Sequence, residues 1–483
     1  MSPSSIETAL DLQHKEAMDL FTGALEACSI QAAFDRHIRF EGNILHRLLS
    51  DGAQTIDLSA FKRIYVLSIG KAAGPLLETL LQRMKRRKGV RGICCTNQLP
   101  RSRNWRFRYF SGGHPLPNED SFSAARAALG LLKKARKDTL VFFLVSGGGS
   151  AMLELPLDHS ISLEDTVAFN EALLASGAPI TEVNTLRKHF SAVKGGRLAI
   201  AAPDATKISL LLPDVPLNSL DALASGPSTP DHSTVDEVRA ILKKFNLAPK
   251  LTPAVRAFFE RDDLPESPGK KVWQRLARLP WAEARTTSNT RAIPTVNLSE
   301  EDPAFRNSVY EVLLSSDDLV EGARALAKKN GYHVVIDNSC DDWDYADAAR
   351  YLFERFHALR ADHPRLCLIS AGEVTVTLGS AHGSGGRNQQ FVLACIDELA
   401  RHPSESLTVF SAGSDGIDGN TQAAGAVADP TTLSRARDFG FDPDQALATF
   451  DACPLFTAIG DSVVVGPTGH NLRDLRLLIA SRT

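Results

Sequence analysis

A chain of 483 residues is too long for one typical domain and predicts two or three. Its net charge of -3 and its 43% hydrophobic content favour packed cores and give no global signal for nucleic-acid binding. Its longest apolar runs are strand-sized, well below the roughly 20 residues of a membrane helix, so no membrane partner is expected.

Short apolar runs recur along the chain and end in glycine, serine or aspartate. They read RIYVLSIG (63–70), LVFFLVSGGGS (140–150), SLLLPD (209–214), VYEVLLSSDD (309–318), LCLISAGE (366–373) and LTVFSAGSDGIDG (407–419). Such runs, separated by helical stretches, predict mostly parallel sheets covered by helices. Because ligands of such sheets bind beyond the carboxyl ends of the strands, the polar loops after these runs are candidate sites.

The runs form two series, which predict two α/β domains over residues 1–240 and 308–483. The proline-rich stretch 241–307 is interpreted as a connector. A helix is predicted from the capping pair Ser162 and Asp165 to Gly177, and a second predicted helix ends at Gly331.

The loop after the first run places a lysine at a helix start. The helix period begins directly after Gly70, which predicts Lys71 in the first turn. A cation there opposes the helix dipole by roughly 0.3–1 kcal/mol, and an anion bound at the same end would reverse that penalty. Lys71 is therefore a candidate anion ligand; the alternative is a lysine directed to solvent.

Two glycine-rich segments are candidate phosphate loops, because backbone amides of glycine turns can converge on an anion. The candidate nucleotide-binding residues are Gly147, Gly148, Gly149, Ser150, Lys194, Gly195 and Gly196. Neither segment matches the GxxxxGK[ST] or GxGxxG pattern. Each is also explained as a structural turn.

Carboxylates occupy the remaining loops at strand ends. They are Asp214, Glu373, Asp415 and Asp418. Mg²⁺ takes one or two protein carboxylates and keeps several waters, so such loops suit it. Taken singly, each carboxylate is better explained as a side chain that bonds to its own turn, but four of them at the predicted ligand edge favour a binding site.

Histidines and cysteines show no metal-binding pattern. The 13 histidines give no H-x-x-x-H pair on a helix and the 7 cysteines no C-x-x-C, so no zinc site is expected. The cysteine usage and the absence of a signal-peptide pattern predict a soluble cytoplasmic protein. His114 either orients a substrate or holds a turn. The basic stretch 83–108 is interpreted as solvated surface, without a nucleic-acid partner.

Eight segments form an ordered series. They read SIGKAAG, SGGHPLPNE, SGGGSAM, EVNTLRKHFSAVKGGRLA, DALASGPSTPD, AGEVTVTLGSAHGSGGRNQQF, GSDGIDGNTQAAGAVAD and GDSVVVGPTGHNLRDL. In this order they resemble the class II glycerate kinases, the glycerate 2-kinases with a C-terminal MOFRL domain. The resemblance covers about residues 60–232 and 366–476.

The resemblance implies a Rossmann-like N-terminal lobe and a C-terminal lobe that contains the MOFRL region, with the active site in the cleft between them. It implies phosphorylation of D-glycerate by ATP and Mg²⁺ to 2-phosphoglycerate. We expect a monomer or a homodimer.

The resemblance also assigns roles to residues. The family's essential lysine and arginine fall on Lys71 and Arg387, a point charge and a planar fork that suit the charge of a transferring phosphoryl group. The acidic residues of the family pattern fall on Asp214, Glu373, Asp415 and Asp418. Asp214 and Asp418 are the expected metal ligands, with Asp214 alternatively orienting the attacking hydroxyl. Glu373 and Asp415 are expected near the nucleotide.

The chain departs from the family pattern in three loops, residues 213–219, 315–318 and 340–350. One alternative is therefore a kinase for a related small hydroxy acid. Another is an NAD(P)H-dependent hydroxypyruvate or tartronate reductase, although no GxGxxG follows a predicted strand. A third is a non-catalytic binder of hydroxy acids.

Overall fold

The computed structural model describes residues 3–49, 52–85, 87, 89–215, 217–268, 304–305, 307–378, 382–469 and 471–481. The chain divides into two compact units. The first unit is Ile30–Leu313, and the second combines Met1–Ser29 with Leu314–Thr483. Helix α1 (Pro3–Ala27) belongs to the second unit.

The first unit contains a small antiparallel sheet, a six-stranded parallel sheet and surrounding helices. Its strands are β1 (Ile38–Glu41), β2 (Ile44–Leu49), β3 (Gly52–Asp57), β4 (Arg63–Ile69), β5 (Val90–Thr96), β6 (Phe107–Ser111), β7 (Thr139–Ser146), β8 (Thr206–Leu212) and β9 (Ser308–Val312). Its helices are α2 (Ile30–His37), α3 (Ala73–Arg83), α4 (Glu119–Leu132), α5 (Gly149–Met152), α6 (Leu163–Leu174), α7 (Ile180–Phe190), α8 (Arg197–Ile200), α9 (Val235–Lys244) and α10 (Pro253–Phe259).

The parallel sheet has the strand order β6-β5-β4-β7-β8-β9. When these six strands are numbered by their order in the chain, the sheet has the 3-2-1-4-5-6 order of a doubly wound Rossmann-type fold. The order reverses between β4 and β7, and ligands of such folds bind beyond the strand ends at this switch point. The near-continuous apolar runs become strands buried along their length, such as β7, so the predicted parallel α/β fold is confirmed here.

The second unit is built on a mixed six-stranded sheet. Its strands are β10 (His333–Ile336), β11 (Leu366–Gly372), β12 (Leu407–Gly413), β13 (Gly425–Ala428), β14 (Ser462–Val463) and β15 (Asp474–Ala480). Its remaining helices are α11 (Ser316–Lys329), α12 (Tyr345–Arg360), α13 (Arg387–Ala400), α14 (Thr432–Asp438), α15 (Pro443–Ala448) and α16 (Ala452–Ala458).

The predicted α/β class holds for this unit, but its sheet is not mostly parallel. Strands β10 and β11 pair in parallel, whereas β15 pairs antiparallel with both β11 and β12. Strands β11 and β12 therefore point the same way, as the strand-helix-strand pattern predicts, with β15 inserted between them. A buried apolar run carries no information on strand direction, and this explains the difference.

The boundaries of the units differ from the predicted domain ranges. Residues 308–312 form β9, the edge strand of the first sheet, paired with β8. Within the predicted connector, Leu247, Val255 and Phe258 pack in one apolar cluster with Phe190 of α7. Residues 269–303 of the connector lie outside the described residues.

The helix ends lie where the capping residues and glycines of the sequence predicted them. Helix α6 begins after Ser162, whose side chain forms the predicted reciprocal capping box with Asp165. Gly177 and Gly331 follow α6 and α11 with positive φ values of +71° and +82°. Within the described ranges, no helix has the length and apolar character that crossing a bilayer requires.

Candidate functional site

The loops after β4 and β7 are joined at the switch point of the first sheet. The amide of Lys71 donates to the carbonyl of Gly147 at 2.9 Å, and the amide of Ala72 donates to the Ser146 hydroxyl at 3.0 Å. Gly70 has a φ of +111°, and a Cβ there would lie 2.4 Å from the Ser146 carbonyl oxygen. Only glycine permits this approach, so the two loops hold each other in place.

Lys71 lies just before the N-cap Ala72 of α3 and is therefore not in the first turn of the helix, which begins at Ala73. Its side chain is exposed, and the described part of the chain places no carboxylate within ion-pair distance of its ammonium. A cation beside a glycine turn, with no carboxylate partner among the described residues, remains able to bind an anion.

Gly148 marks the place where three side chains converge. It has a φ of +79°, and a Cβ there would lie 3.1 Å from each of Lys71 Cγ, His114 Cδ2 and Met152 Cε. Partial burial, followed by the charge of Lys71, lowers the pKa of His114. The imidazole is therefore neutral near pH 7 and can donate or accept a hydrogen bond.

Asp214 brings a carboxylate to the same turn. It follows β8, the neighbour of β7, and a Cβ on Gly147 would lie only 1.9 Å from Asp214 Oδ2. Lys71, His114 and Asp214 therefore surround the Gly147–Gly148 turn. An ammonium, an imidazole and a carboxylate beside glycine amides can bind an anion and orient a hydroxyl group.

Ser150 and Gly149, at the end of the glycine-rich turn after β7, contact the segment that contains Ala224 and Ser225. The hydroxyls of Ser150 and Ser225 lie 2.8 Å apart, and Ser225 in turn donates to Asn184 Oδ1 at 3.0 Å. Gly149 approaches Ala224 so closely that an added Cβ would lie 2.7 Å from the alanine Cβ. These contacts fix the backbone of residues 147–150 at the ligand edge of the sheet.

The ammonium of Lys194 is not available to bind a phosphate at this turn. Its side chain is 1% exposed, and its ammonium pairs with the equally buried Glu154 at 2.5 Å. It also donates to the carbonyl of Leu153 at 3.2 Å. Because a buried charge needs its partner, Lys194 has a structural role, and its assignment to a phosphate is corrected.

The backbone amides of Gly195 and Gly196 also have structural partners. Their amides donate to the carbonyls of Ser225 at 3.0 Å and Gly226 at 2.7 Å. A Cβ on Gly196 would lie 2.6 Å from the ring of Phe305. These amides are therefore not available to a phosphate, which corrects the second candidate phosphate loop.

The second unit places Arg387 at the carboxyl end of its sheet, as the first residue of α13. Its guanidinium binds Asp474 through Nε at 2.5 Å and through Nη2 at 2.9 Å, and Nη2 also donates to Glu373 at 2.9 Å. No acceptor among the described residues reaches Nη1. Burial disfavours the charge, but Asp474 and Glu373 outweigh it and raise the pKa of Arg387.

Asp418 caps the start of the same helix and does not fit a metal ligand. One carboxylate oxygen accepts from the amide and side chain of Asn388, at 3.0 and 3.2 Å, and the other from those of Gln389, at 2.9 and 3.2 Å. The residue is 2% exposed, and burial raises its pKa to about 6 against the lowering by these donors. Four N–H donors occupy the positions that a cation would need, so the metal assignment is corrected.

Asp415 lies near this cluster and holds its own turn, because its Oδ1 accepts from the amide of Ile417 at 3.1 Å. A Cβ on Gly413 would lie 3.3 Å from Asp415 Oδ1 and 3.4 Å from Asp474 Oδ1. The sheet end that carries Arg387 therefore also carries three carboxylates, those of Asp415, Asp474 and Glu373.

Sequence reasoning missed two residues of this cluster. Asp474 is 1% exposed and forms the main ion pair of Arg387, and Arg473 binds Asp341 through both terminal nitrogens at 2.5 Å. The signal was present in the segment GHNLRDL, which contains both residues. Their partners lie far away in the sequence, so spacing alone does not reveal the pairs.

The fold and this geometry define a two-unit α/β protein with a candidate site at the switch point of a Rossmann-type sheet. Two family models match the chain: a domain of unknown function, DUF4147, over residues 16–260, and the MOFRL family over residues 366–474. The chain belongs to the glycerate 2-kinase family that combines these two regions.

Individual relatives span most of the chain. A glycerate 2-kinase of Pyrococcus horikoshii is 31% identical over 87% of this chain and 88% of its own length. A protein of Agrobacterium vitis described as a putative hydroxypyruvate reductase is 34% identical over 77% of both chains. The crystal structure of a glycerate kinase from Thermotoga maritima has a TM-score of 0.76 at 27% identity, covering 97% of this chain and 100% of that one.

Proposed function

We propose that this protein transfers the terminal phosphoryl group of ATP to D-glycerate and forms 2-phosphoglycerate. The observation that carries the proposal is the exposed Lys71 beside the Gly147–Gly148 turn at the switch point. The family supports the reaction class, because relatives over most of the chain are glycerate 2-kinases.

Lys71 and the glycine turn would bind the phosphoryl group. Phosphoryl transfer spreads negative charge over three oxygens, so a preorganised cation stabilises the transition state without reorganisation. The first amides of a helix have no partner within it, and α5 begins directly after Gly148, which lies against Lys71. We therefore place the transferred group against Lys71.

Asp214 fits the Mg²⁺ that the family implies, whereas Asp418 does not. Its carboxylate lies at the ligand edge, against Gly147, and Mg²⁺ needs only one or two protein carboxylates. The ion would neutralise charge on the nucleotide phosphates. Alternatively, Asp214 accepts a hydrogen bond from the attacking hydroxyl and orients it.

Arg387 is surrounded by carboxylates, which limits the ligands that it can bind. Asp474 and Glu373 hold its fork, and their charges exceed its own. A bare phosphate is therefore poorly matched to this cluster, while a phosphate accompanied by a cation is better matched. We propose that Arg387 contacts the substrate through Nη1, and that Glu373 and Asp415 act near the nucleotide.

The reductase alternative has less support. A relative described as a putative hydroxypyruvate reductase is 34% identical, so similarity alone does not separate the activities. The turn after β4 reads GKAAG, however, without the glycine spacing that lets a dinucleotide pyrophosphate approach the helix. We also propose a cytoplasmic location, where the free thiols of this chain would stay reduced.

The test is an assay that identifies the product. The protein is incubated with ATP, Mg²⁺ and D-glycerate, followed by enolase without phosphoglycerate mutase. Immediate phosphoenolpyruvate is expected, because enolase accepts only the 2-phosphate. Release of ADP without phosphoenolpyruvate would contradict the assigned product, and NADH oxidation with hydroxypyruvate in place of ADP release would favour the reductase.

A further inference from the structure

Three potential metal ligands meet on the second unit, away from Arg387. His357 lies on α12, Glu398 lies near the end of α13, and His402 follows one helical turn later. Their ligand atoms lie within 4.8 Å of one another. The sequence pattern did not predict this group, because His357 and Glu398 lie 41 positions apart in the sequence.

The distances suit one shared ion. Glu398 Oε1 lies 3.8 Å from His357 Nε2 and 3.7 Å from His402 Nε2. Ligands at about 2.1 Å from a tetrahedral Zn²⁺ lie about 3.4 Å apart, so small side-chain rotations close the site. The side chains are 27–34% exposed, which leaves a path for the ion.

The nitrogen of His357 has a further property of a ligand. Its Nε2 is buried and has no hydrogen-bond partner within the described ranges. A neutral imidazole with an unused ring nitrogen is the form that binds a metal.

A second layer of contacts orients His402 and Glu398. His402 Nδ1 lies 2.9 Å from Glu405, so Nε2 is left for an ion, as in the carboxylate-histidine-zinc arrangement. Arg360 pairs with Glu405, and Arg401 pairs with the other oxygen of Glu398 at 2.5 Å. These pairs leave Glu398 Oε1 directed at the two histidines.

A second group of possible ligands does not share these properties. Asp221, Asp231 and His232 also lie together, but the ammonium of Lys188 lies 2.5 Å from Asp221 and 2.9 Å from Asp231. A protein cation already occupies the position that a metal ion would take. This group serves as a control.

We propose that His357, Glu398 and His402 bind one transition-metal ion of the Zn²⁺ type, completed by water. The ion would join α12 to the turn after α13. Nitrogen ligands favour Zn²⁺, Co²⁺ and Ni²⁺ over Mg²⁺, so the site is separate in chemistry from the proposed phosphoryl transfer.

The experiment uses the full chain without a histidine tag, freed of metal by a chelator and titrated with Zn²⁺ by calorimetry. One ion per chain is expected, undisturbed by millimolar Mg²⁺, and Co²⁺ at the same site should give a visible absorption band. His357→Ala and His402→Ala should abolish both signals. Glu405→Gln should weaken Zn²⁺ binding by about 10- to 100-fold, because it removes the partner of a ligand.

The controls are two variants that remove a histidine outside the proposed site, His232→Ala and His363→Ala. His232 belongs to the second group of possible ligands, and His363 stacks on His333 with ring centroids 3.5 Å apart. Both should bind Zn²⁺ like the wild type, and the circular dichroism of each metal-free variant should match the wild type. Absence of stoichiometric Zn²⁺ binding by the wild type would overturn the proposal. So would loss of binding in a control variant with retention in His402→Ala.

Discussion

The buried pair of Lys194 and Glu154 gives a prediction that separates a structural lysine from a phosphate-binding one. Both side chains are 1% exposed and lie 2.5 Å apart. Lys194→Met leaves Glu154 buried with the amide of Leu155, 2.8 Å away, as a remaining donor. Removing one partner of a buried ion pair costs about 3–5 kcal/mol of unfolding free energy.

The double variant Lys194→Met with Glu154→Gln removes both charges and should recover most of that loss. The assay is guanidinium unfolding of the wild type, the two single variants and the double variant, together with the KM for ATP of each folded protein. We expect a KM for ATP within about threefold of wild type in the double variant, because no phosphate contact is removed. A Lys194→Met variant that unfolds within about 1 kcal/mol of wild type but has a KM for ATP raised tenfold or more would refute the structural role of Lys194.

Three further predictions concern the two sites. Gly148→Ala and Gly177→Ala should each lose about 1–2 kcal/mol of unfolding free energy, because both glycines have positive φ, but only Gly148→Ala should lose turnover, since Gly177 has no neighbour within 4 Å. Equal turnover in the two variants would contradict the site. Arg387→Ala should lose stability because it leaves Asp474 without its arginine, and turnover because it removes the proposed substrate contact. Adding Asp474→Asn should restore the unfolding free energy alone, and recovered turnover would remove Arg387 from the reaction. Asp418→Ala should lose about 1 kcal/mol of unfolding free energy as a lost helix cap, with an unchanged Mg²⁺ dependence of the rate; a shifted Mg²⁺ dependence would restore Asp418 as a ligand.

Much of the first unit was predictable because its signals are local. The runs that end at Gly70 and Ser146 become neighbouring buried strands, and their loops meet at the switch point. Apolar continuity indicates a buried parallel strand, and a glycine-rich turn after it indicates the ligand edge. The position of Lys71 at this edge was predicted in this way, although the residue precedes the helix instead of opening it.

The errors share a physical cause, which is dependence on distant partners. Lys194 beside two glycines has the composition of a phosphate loop, but Glu154 binds it from another part of the fold. Asp418 has the composition of a metal loop, but its oxygens meet the start of α13. The direction of β15 depends on its pairing with β11 and β12, which its own residues do not encode.

The central claim is that Lys71 stabilises the transferring phosphoryl group, and the turnover number of Lys71→Met tests it most directly. Lys62→Met is the matched control, because Lys62 is a lysine of the same unit, 80% exposed and 3.6 Å from Asp138. With saturating ATP, Mg²⁺ and D-glycerate, we predict a loss of about 100- to 1000-fold in kcat for Lys71→Met. The control should keep the wild-type rate, and both variants should unfold like the wild type. A Lys71→Met enzyme that is folded and retains kcat within tenfold of wild type would contradict the account.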